Sequence, residues 1–265
     1  MNNNTAIRYY IALFFYVLIF ASCHAKLAPR SSSHSDVYNQ QITDEHGNPQ
    51  LLGKCTRTAL LQAPYNNWFV KNYNNYSVDS PTADRLKTSL AGRRFRIFMG
   101  TWCGDSQREV PRIFKILDYC GIDSSSIQLV MVSASDSTYK QSPGHEEKGM
   151  DIFRVPDLIV LDQGREIGRI VESPVSSLEK DLATLTGGGI YTPHYPGADR
   201  LMHIFREEKM TTIEKELPAL AERIKPLVHS PNELKGYARV MRTAGEARKA
   251  SIILQVNALI FPDEK

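Results

Sequence analysis

Apolar and polar positions in the middle of the chain alternate in blocks that predict strands and helices in turn. Phe95–Met99 is an apolar segment of strand length. Asp105–Cys120 follows as a helix, with Val110, Ile113, Phe114, Leu117 and Cys120 on one face and Gly121 as its stop. Ile127–Val132 is largely apolar, as a strand buried on both faces should be. Ser135–Met150 is polar and predicts a short helix. Asp157–Leu161 reads as a second buried strand, Asp162-Gln163-Gly164 as a turn, and Glu166–Val171 as the return strand of a hairpin. Ser173–Leu185 predicts an amphipathic helix, with Ser173 as its cap, Pro174 in its first turn and Gly187-Gly188-Gly189 at its end. The order β-α-β-α-β-β-α predicts an α/β fold, a central sheet flanked by helices.

The flanks have a different texture. Arg8 precedes Ile11–Ala21, an uncharged apolar run with the length of a signal-peptide core and too short to span a bilayer comfortably. Phe20-Ala21-Ser22-Cys23 resembles a bacterial lipobox, with Phe20 where Leu is usual. Lipid attachment at Cys23, cleavage after Ala25 and an uncleaved short anchor stay open. Each places the bulk of the chain outside the cytoplasm, so the expected location is a bacterial cell envelope, periplasmic or lipid-anchored to the membrane at Cys23. Residues 27–50, rich in Ser, Gln, Asn and His, read as a tether. Trp68, Phe69 and Val70 sit in a short helical segment ending near Asn74-Asn75, and Ser80-Pro81 reads as a helix start with Ser80 as cap. Beyond residue 187, Ile190–Arg200 predicts a loop and Thr212–Leu227 a helix. The expected division is a signal at 1–22, a tether and N-terminal extension at 23–79, the α/β domain at 80–187 and a C-terminal helical extension at 188–265.

Composition narrows the function little. The 265 residues are 42% apolar and 23% charged, ordinary for a globular protein. A net charge of +3 with no Lys/Arg cluster gives no ground for nucleic-acid binding. The seven histidines lack metal-ligand spacing, and the glycine triplet precedes no Lys-Ser/Thr pair, so neither a metal nor another cofactor is expected. Cys23, Cys55, Cys103 and Cys120 are the cysteines; if Cys23 is lipidated or removed, the odd number left implies a free thiol.

Candidate chemistry gathers at Thr101-Trp102-Cys103-Gly104-Asp105-Ser106, between a predicted strand and a predicted helix. A Trp-Cys-Gly-x-x unit at such a junction resembles the active site of the thioredoxin superfamily, with Ser106 in place of the second cysteine. The resemblance covers roughly residues 80–187 and has two further supports. Val155-Pro156 precedes the strand Asp157–Leu161, where thioredoxins carry a cis-proline beside the active cysteine. Glu109 and Pro111 continue the W-C-x-x-C-x-x-E-x-P pattern of TlpA-type envelope thiol-disulfide oxidoreductases. The chain departs at Ser106 and at Ile97, where classical thioredoxins have a buried Asp. In the extension, Leu234, Tyr237, Ala238, Met241, Gly245, Ala250, Leu254 and Pro262 resemble one tetratricopeptide repeat, a hairpin at 231–264. A helical hairpin covering apolar surface is the competing reading there.

The resemblance implies a nucleophile at Cys103. A helix start favours thiolate, since unpaired N–H groups point at the sulfur. Gly104 allows close backbone approach, Ser106 can donate to the sulfur, Trp102 flanks it, and Val155 and Pro156 form a substrate-facing loop with free backbone groups. Glu109 is a candidate proton relay, weighed against a solvated helix face; Arg108 reads as surface. Ser106 cannot resolve a mixed disulfide. Cys120 lies 17 residues on, about 25 Å along one helix, beyond disulfide reach. Cys55 reaches the site only if its segment folds across it. The expectation is therefore monothiol disulfide exchange or isomerisation, with thiol- or disulfide-containing envelope proteins or a small external thiol as partners. The competing function is a non-catalytic adaptor that binds a partner protein through the C-terminal helices.

Overall fold

The computed structural model describes residues 38–263. The expected signal at 1–22 and the candidate lipidation residue Cys23 lie outside the described residues. Among the described residues no helix is long and apolar enough to cross a membrane.

The chain folds as a mixed α/β structure around a six-stranded sheet. Its strands are β1 (Gln40–Thr43), β2 (Pro49–Cys55), β3 (Arg94–Met99), β4 (Ile127–Met131), β5 (Asp157–Asp162) and β6 (Arg165–Val171). Their spatial order is β1-β2-β4-β3-β5-β6. β3 and β4 are parallel, with Ile97 beside Leu129, and the other neighbours are antiparallel. The first two strands correct the expected tether. From Gln40 the chain forms a hairpin whose turn is held by the Asp44 carboxylate, which accepts the N–H groups of His46 at 2.9 Å and Asn48 at 2.7 Å. β2 then pairs with β4, so the sheet starts some forty residues before the expected boundary at 80.

Alternation along β3 explains the two cores. Phe95, Ile97 and Met99 face a helix-covered side, together with Leu129, Met131, Leu158 and Val160. Four helices cover it: α2 (Asn66–Asn75), α3 (Ser80–Leu90), α4 (Gly104–Tyr119) and α5 (Leu178–Thr186), preceded by the short α1 (Arg57–Leu60). The predicted apolar face of α4 is buried there, and Gly121, at φ 71°, ends it. Phe98 faces the other side with Val130, Val132, Ile152, Val155 and Ile159. No helix of normal length lies between β4 and β5. The expected helix over 135–150 is reduced to one 3₁₀ turn, Asp136–Thr138. Left-handed backbone at Lys140, His145, Gly149 and Asp151 breaks the rest into turns.

Two expected caps shift. Asp79, not Ser80, caps α3, accepting the Thr82 N–H at 3.4 Å. Ser177, not Ser173, caps α5, accepting the Lys180 N–H at 3.2 Å. The Asp181 carboxylate draws the N–H groups of Val175 and Ser176 to itself at 2.6 and 3.2 Å, holding that stretch out of the helix.

The C-terminal part is helical: α6 (Pro196–Glu207), α7 (Met210–Lys215), α8 (Leu217–Ile224), α9 (Pro231–Thr243) and α10 (Ala247–Ile260). The loop expected over 190–200 gives way to α6 at Pro196. The helix expected over 212–227 is split. Pro218 opens α8 and Pro226 lies in a 3₁₀ turn, because proline cannot donate to the preceding turn and clashes with it. α9 and α10 form a helical hairpin. Leu234, Tyr237, Ile253 and Val256 bury against Leu201, Leu220 and, from the α/β part, Phe153 and Val171.

Candidate functional site

Cys103 follows β3 and is the N-cap residue of α4, with extended backbone (φ −92°, ψ 121°). Its carbonyl accepts the Gln107 N–H at 2.9 Å, the first bond of the helix, and its own N–H donates to the Gly100 carbonyl at 3.0 Å. The side chain is half-buried against the Phe98 cluster. Its thiol donates to the Val155 carbonyl at 3.3 Å. The Val155–Pro156 peptide is cis. Residues more than fifty positions apart in sequence thus meet at the sulfur, and among the described residues nothing takes the Val155 N–H. The Val155 carbonyl, expected free, is occupied by the thiol.

Trp102 is pinned beside the sulfur. Its indole N–H donates to the Val132 carbonyl at 2.9 Å, and its ring lies so close over Gly100 that an added Cβ there would stand 2.4 Å from it. Gly100 is therefore required by the indole. At Gly104 an added Cβ would meet nothing within 4 Å, so no protein group uses the room that residue leaves. Ser106 is fully buried, and its hydroxyl accepts the Gly100 N–H at 3.3 Å. It braces the turn that presents Cys103; the expected bond to the sulfur is not among its contacts. From β2, the Leu51 N–H donates to the Thr101 hydroxyl at 3.3 Å, tying the unforeseen hairpin to this turn.

Glu109 is 3% exposed, which overturns the solvated helix face. Arg108 and Arg112 clamp one of its oxygens at 2.6 and 3.2 Å, and the other oxygen is buried without a hydrogen bond. Its partners are guanidinium groups, so a proton relay to Cys103 has no contact to run through. Arg108 also pairs with Asp105 at 2.7 Å and is part of this network rather than plain surface.

The other two described cysteines are separate from the site. Cys55 pairs with Leu129 on the outer side of β4, two strands from β3 and so about 10 Å to the side, in the helix-covered core. Burial pushes its thiol up to about 12. Cys120 is at the far end of α4, donates to the Ala83 carbonyl at 3.5 Å, and is also shifted up by burial. All three are unpaired.

Two charged groups near the site escaped the sequence reading. Lys140 is 4% exposed, on a left-handed residue (φ 59°) in the loop after β4. Its ammonium lies 5.1 Å from the Trp102 ring centre and 4.9 Å from that of Tyr139. Burial pushes it down to about 8, and the negative charge available at Cys103 works against that shift. Asp157, directly after Pro156, is fully buried and pushed up to about 6 by burial, although Arg169 donates to it at 2.9 Å. The sheet has a buried acid after all, one strand away from Ile97. A polar residue at the start of an apolar strand was the available signal. Among the described residues no group of His, Cys, Asp and Glu is placed to hold a metal ion.

No protein-family model and no curated protein matches the chain. Two solved structures are similar at low level. A protein of unknown function from Pseudomonas aeruginosa shares 20% identity over 54% of this chain and 80% of its own, with a TM-score of 0.32. An HIV epitope-scaffold shares 21% identity over 48% of this chain and 78% of its own, with a TM-score of 0.30.

Proposed function

We propose that the protein is a thioredoxin-like monothiol oxidoreductase of the bacterial cell envelope, working through Cys103. The observation that carries this reading is the meeting of a half-buried helix-cap thiol with the Val155 carbonyl, just before Pro156 and 3.3 Å away. Attack on a disulfide requires the sulfur as thiolate. Ionisation removes the proton that binds the sulfur to the Val155 carbonyl, so the same event frees the carbonyl to pair with an extended substrate beside the unpartnered Val155 N–H. The Cys103 thiolate attacks one sulfur of a substrate disulfide. The S–S bond breaks, a mixed disulfide forms, and the other sulfur leaves as thiolate. With Ser106 buried and Cys55 and Cys120 held elsewhere, release comes from the substrate's own second thiol, which completes an isomerisation, or from an external thiol. Either attacks the mixed disulfide and regenerates the Cys103 thiolate. The adaptor reading has less support, because α9 and α10 spend their apolar faces on the protein's own cluster with Phe153, Val171 and Leu201.

The test is incubation of the folded full chain with a cystine-containing peptide, followed by mass analysis of the Cys103 segment. A mixed disulfide at Cys103, discharged by added thiol and absent in Cys103→Ser, is expected. If only the denatured chain forms the adduct, the exchange reading fails.

A further inference from the structure

The loop that ends at Pro156 also carries a cation that the thiol chemistry leaves unused. The Arg154 guanidinium is held between two walls. Its Cζ lies 4.7 Å from the Tyr195 ring centre, and an added Cβ at Gly236 on α9 would stand 3.4 Å from one of its nitrogens. Among the described residues Arg154 has no ion pair and no hydrogen bond, and its Nε is buried without a partner. The neighbouring carboxylates are engaged elsewhere. Glu172 accepts the Tyr195 hydroxyl, and Glu233 accepts the Ala198 N–H at the start of α6 at 2.8 Å.

Arg154 borders a groove of about 630 Å³ whose walls include Glu172, Ser173, Tyr195, His229 and Glu233. The groove adjoins the Cys103 site through the backbone, since the Glu172 N–H donates to the Pro156 carbonyl at 2.7 Å. A ring-stacked guanidinium keeps its planar fork preorganised for a carboxylate. Glu172 and Glu233 outnumber Arg154 among the charged residues of the groove, so recognition depends on the directional bonds of that fork and not on a positive field. The geometry points to Arg154 and this groove as the site for a carboxylate on an acidic peptide segment that flanks the disulfide attacked by Cys103. This inference rests on the exchange reading of Cys103.

The experiment uses the folded full chain and two cystine peptides that differ only in Glu or Gln beside the cystine. Formation of the Cys103 adduct is followed by mass spectrometry. The Glu peptide is expected to react about tenfold faster, the equivalent of one charge-assisted bond. Arg154→Gln should bring the ratio of the two rates toward one, and Arg154→Lys should restore part of it. Circular dichroism of both variants checks their folding, and the ratio within each variant cancels any general change in Cys103. A ratio that is the same in the parent and in Arg154→Gln overturns the inference while leaving the exchange reading intact. No adduct with either peptide overturns the exchange reading itself. Glutathione disulfide as a third probe assigns the source: the same Arg154 dependence identifies a small acidic disulfide and overturns the peptide-segment assignment, and its absence supports a protein segment.

Discussion

Replacing Lys140 with Met tests the electrostatic picture of the site through stability alone. Lys140 is 4% exposed, and its ammonium sits against two aromatic rings with no carboxylate bonded to it among the described residues. Burial lowers its proton affinity from 10.5 to about 8. That difference corresponds to about 3 kcal/mol of disfavour for the charged form in the folded state. The two rings return part of it, about 1 kcal/mol or more. Below pH 8 the lysine is charged in both folded and unfolded chains, and the folded state bears the full cost. Between about 8 and 10.5 the folded chain gives up the proton first, and the cost shrinks as pH rises. Above 10.5 it is gone.

Lys140→Met should therefore be more stable than the parent by roughly 1–3 kcal/mol at pH 7, and the gap should close toward pH 10.5. Urea unfolding of both proteins at pH 7, 8.5 and 10 measures it, and titrating groups that do not interact with Lys140 cancel in the difference. A gap that does not change with pH would show that the ammonium is solvated in the folded chain and would remove Lys140 from the electrostatics of the site.

Two further outcomes are expected. Gly100→Ala places a methyl 2.4 Å from the Trp102 indole; it should displace the ring from the Val132 carbonyl, cost about 1–3 kcal/mol and change the tryptophan emission spectrum, with unaltered emission counting against the pinned indole. Asp157, shifted up to about 6 from 3.8, is protonated in the folded chain while the unfolded chain ionises between these values. The parent should thus lose stability as pH rises from about 4 to 6, and Asp157→Asn should lack that loss in denaturation curves across the same range.

The sequence was readable where one short stretch decides the structure. β3 and β5 are largely apolar segments, β6 follows the Asp162-Gln163-Gly164 turn as a return strand, and α4 has a clean helical face ending at a glycine. Trp102, Cys103, Val155 and Pro156 stand where their local motifs placed them. The β1–β2 hairpin was hidden because β1 reads Gln40-Gln41-Ile42-Thr43, an edge strand with one apolar residue, and β2 carries Pro49 and Gly53. Glu109 and Ser106 had the expected helical register but other partners, because the choice among Arg112, Gly100 and the sulfur is made by packing. Lys140 and Arg154 could not be seen at all. Each gains meaning from an aromatic ring about forty residues away, Trp102 for the first and Tyr195 for the second.

The connection between β4 and β5 explains why these two cations depend on the C-terminal extension. That connection holds one 3₁₀ turn and its own turn bonds, such as the Lys140 N–H to the Ser133 carbonyl at 2.9 Å, and the hairpin adds further anchors. Gln141 donates to the Thr243 carbonyl at 2.6 Å. Arg239 lies over the Tyr139 ring at 4.1 Å. Asp151, in left-handed backbone, accepts Tyr237 at 2.9 Å and Lys249 at 2.9 Å. These bonds bracket Lys140, and Gly236 on the same helix makes the place that Arg154 fills. A helix between the strands would cover the Phe98 face by itself but would not present a lysine to Trp102 or an arginine to the groove. The extension therefore backs the loop that carries Lys140 and Arg154 as well as covering the apolar cluster around Phe153 and Val171, and loosening α9 should disturb both cations before it disturbs the sheet.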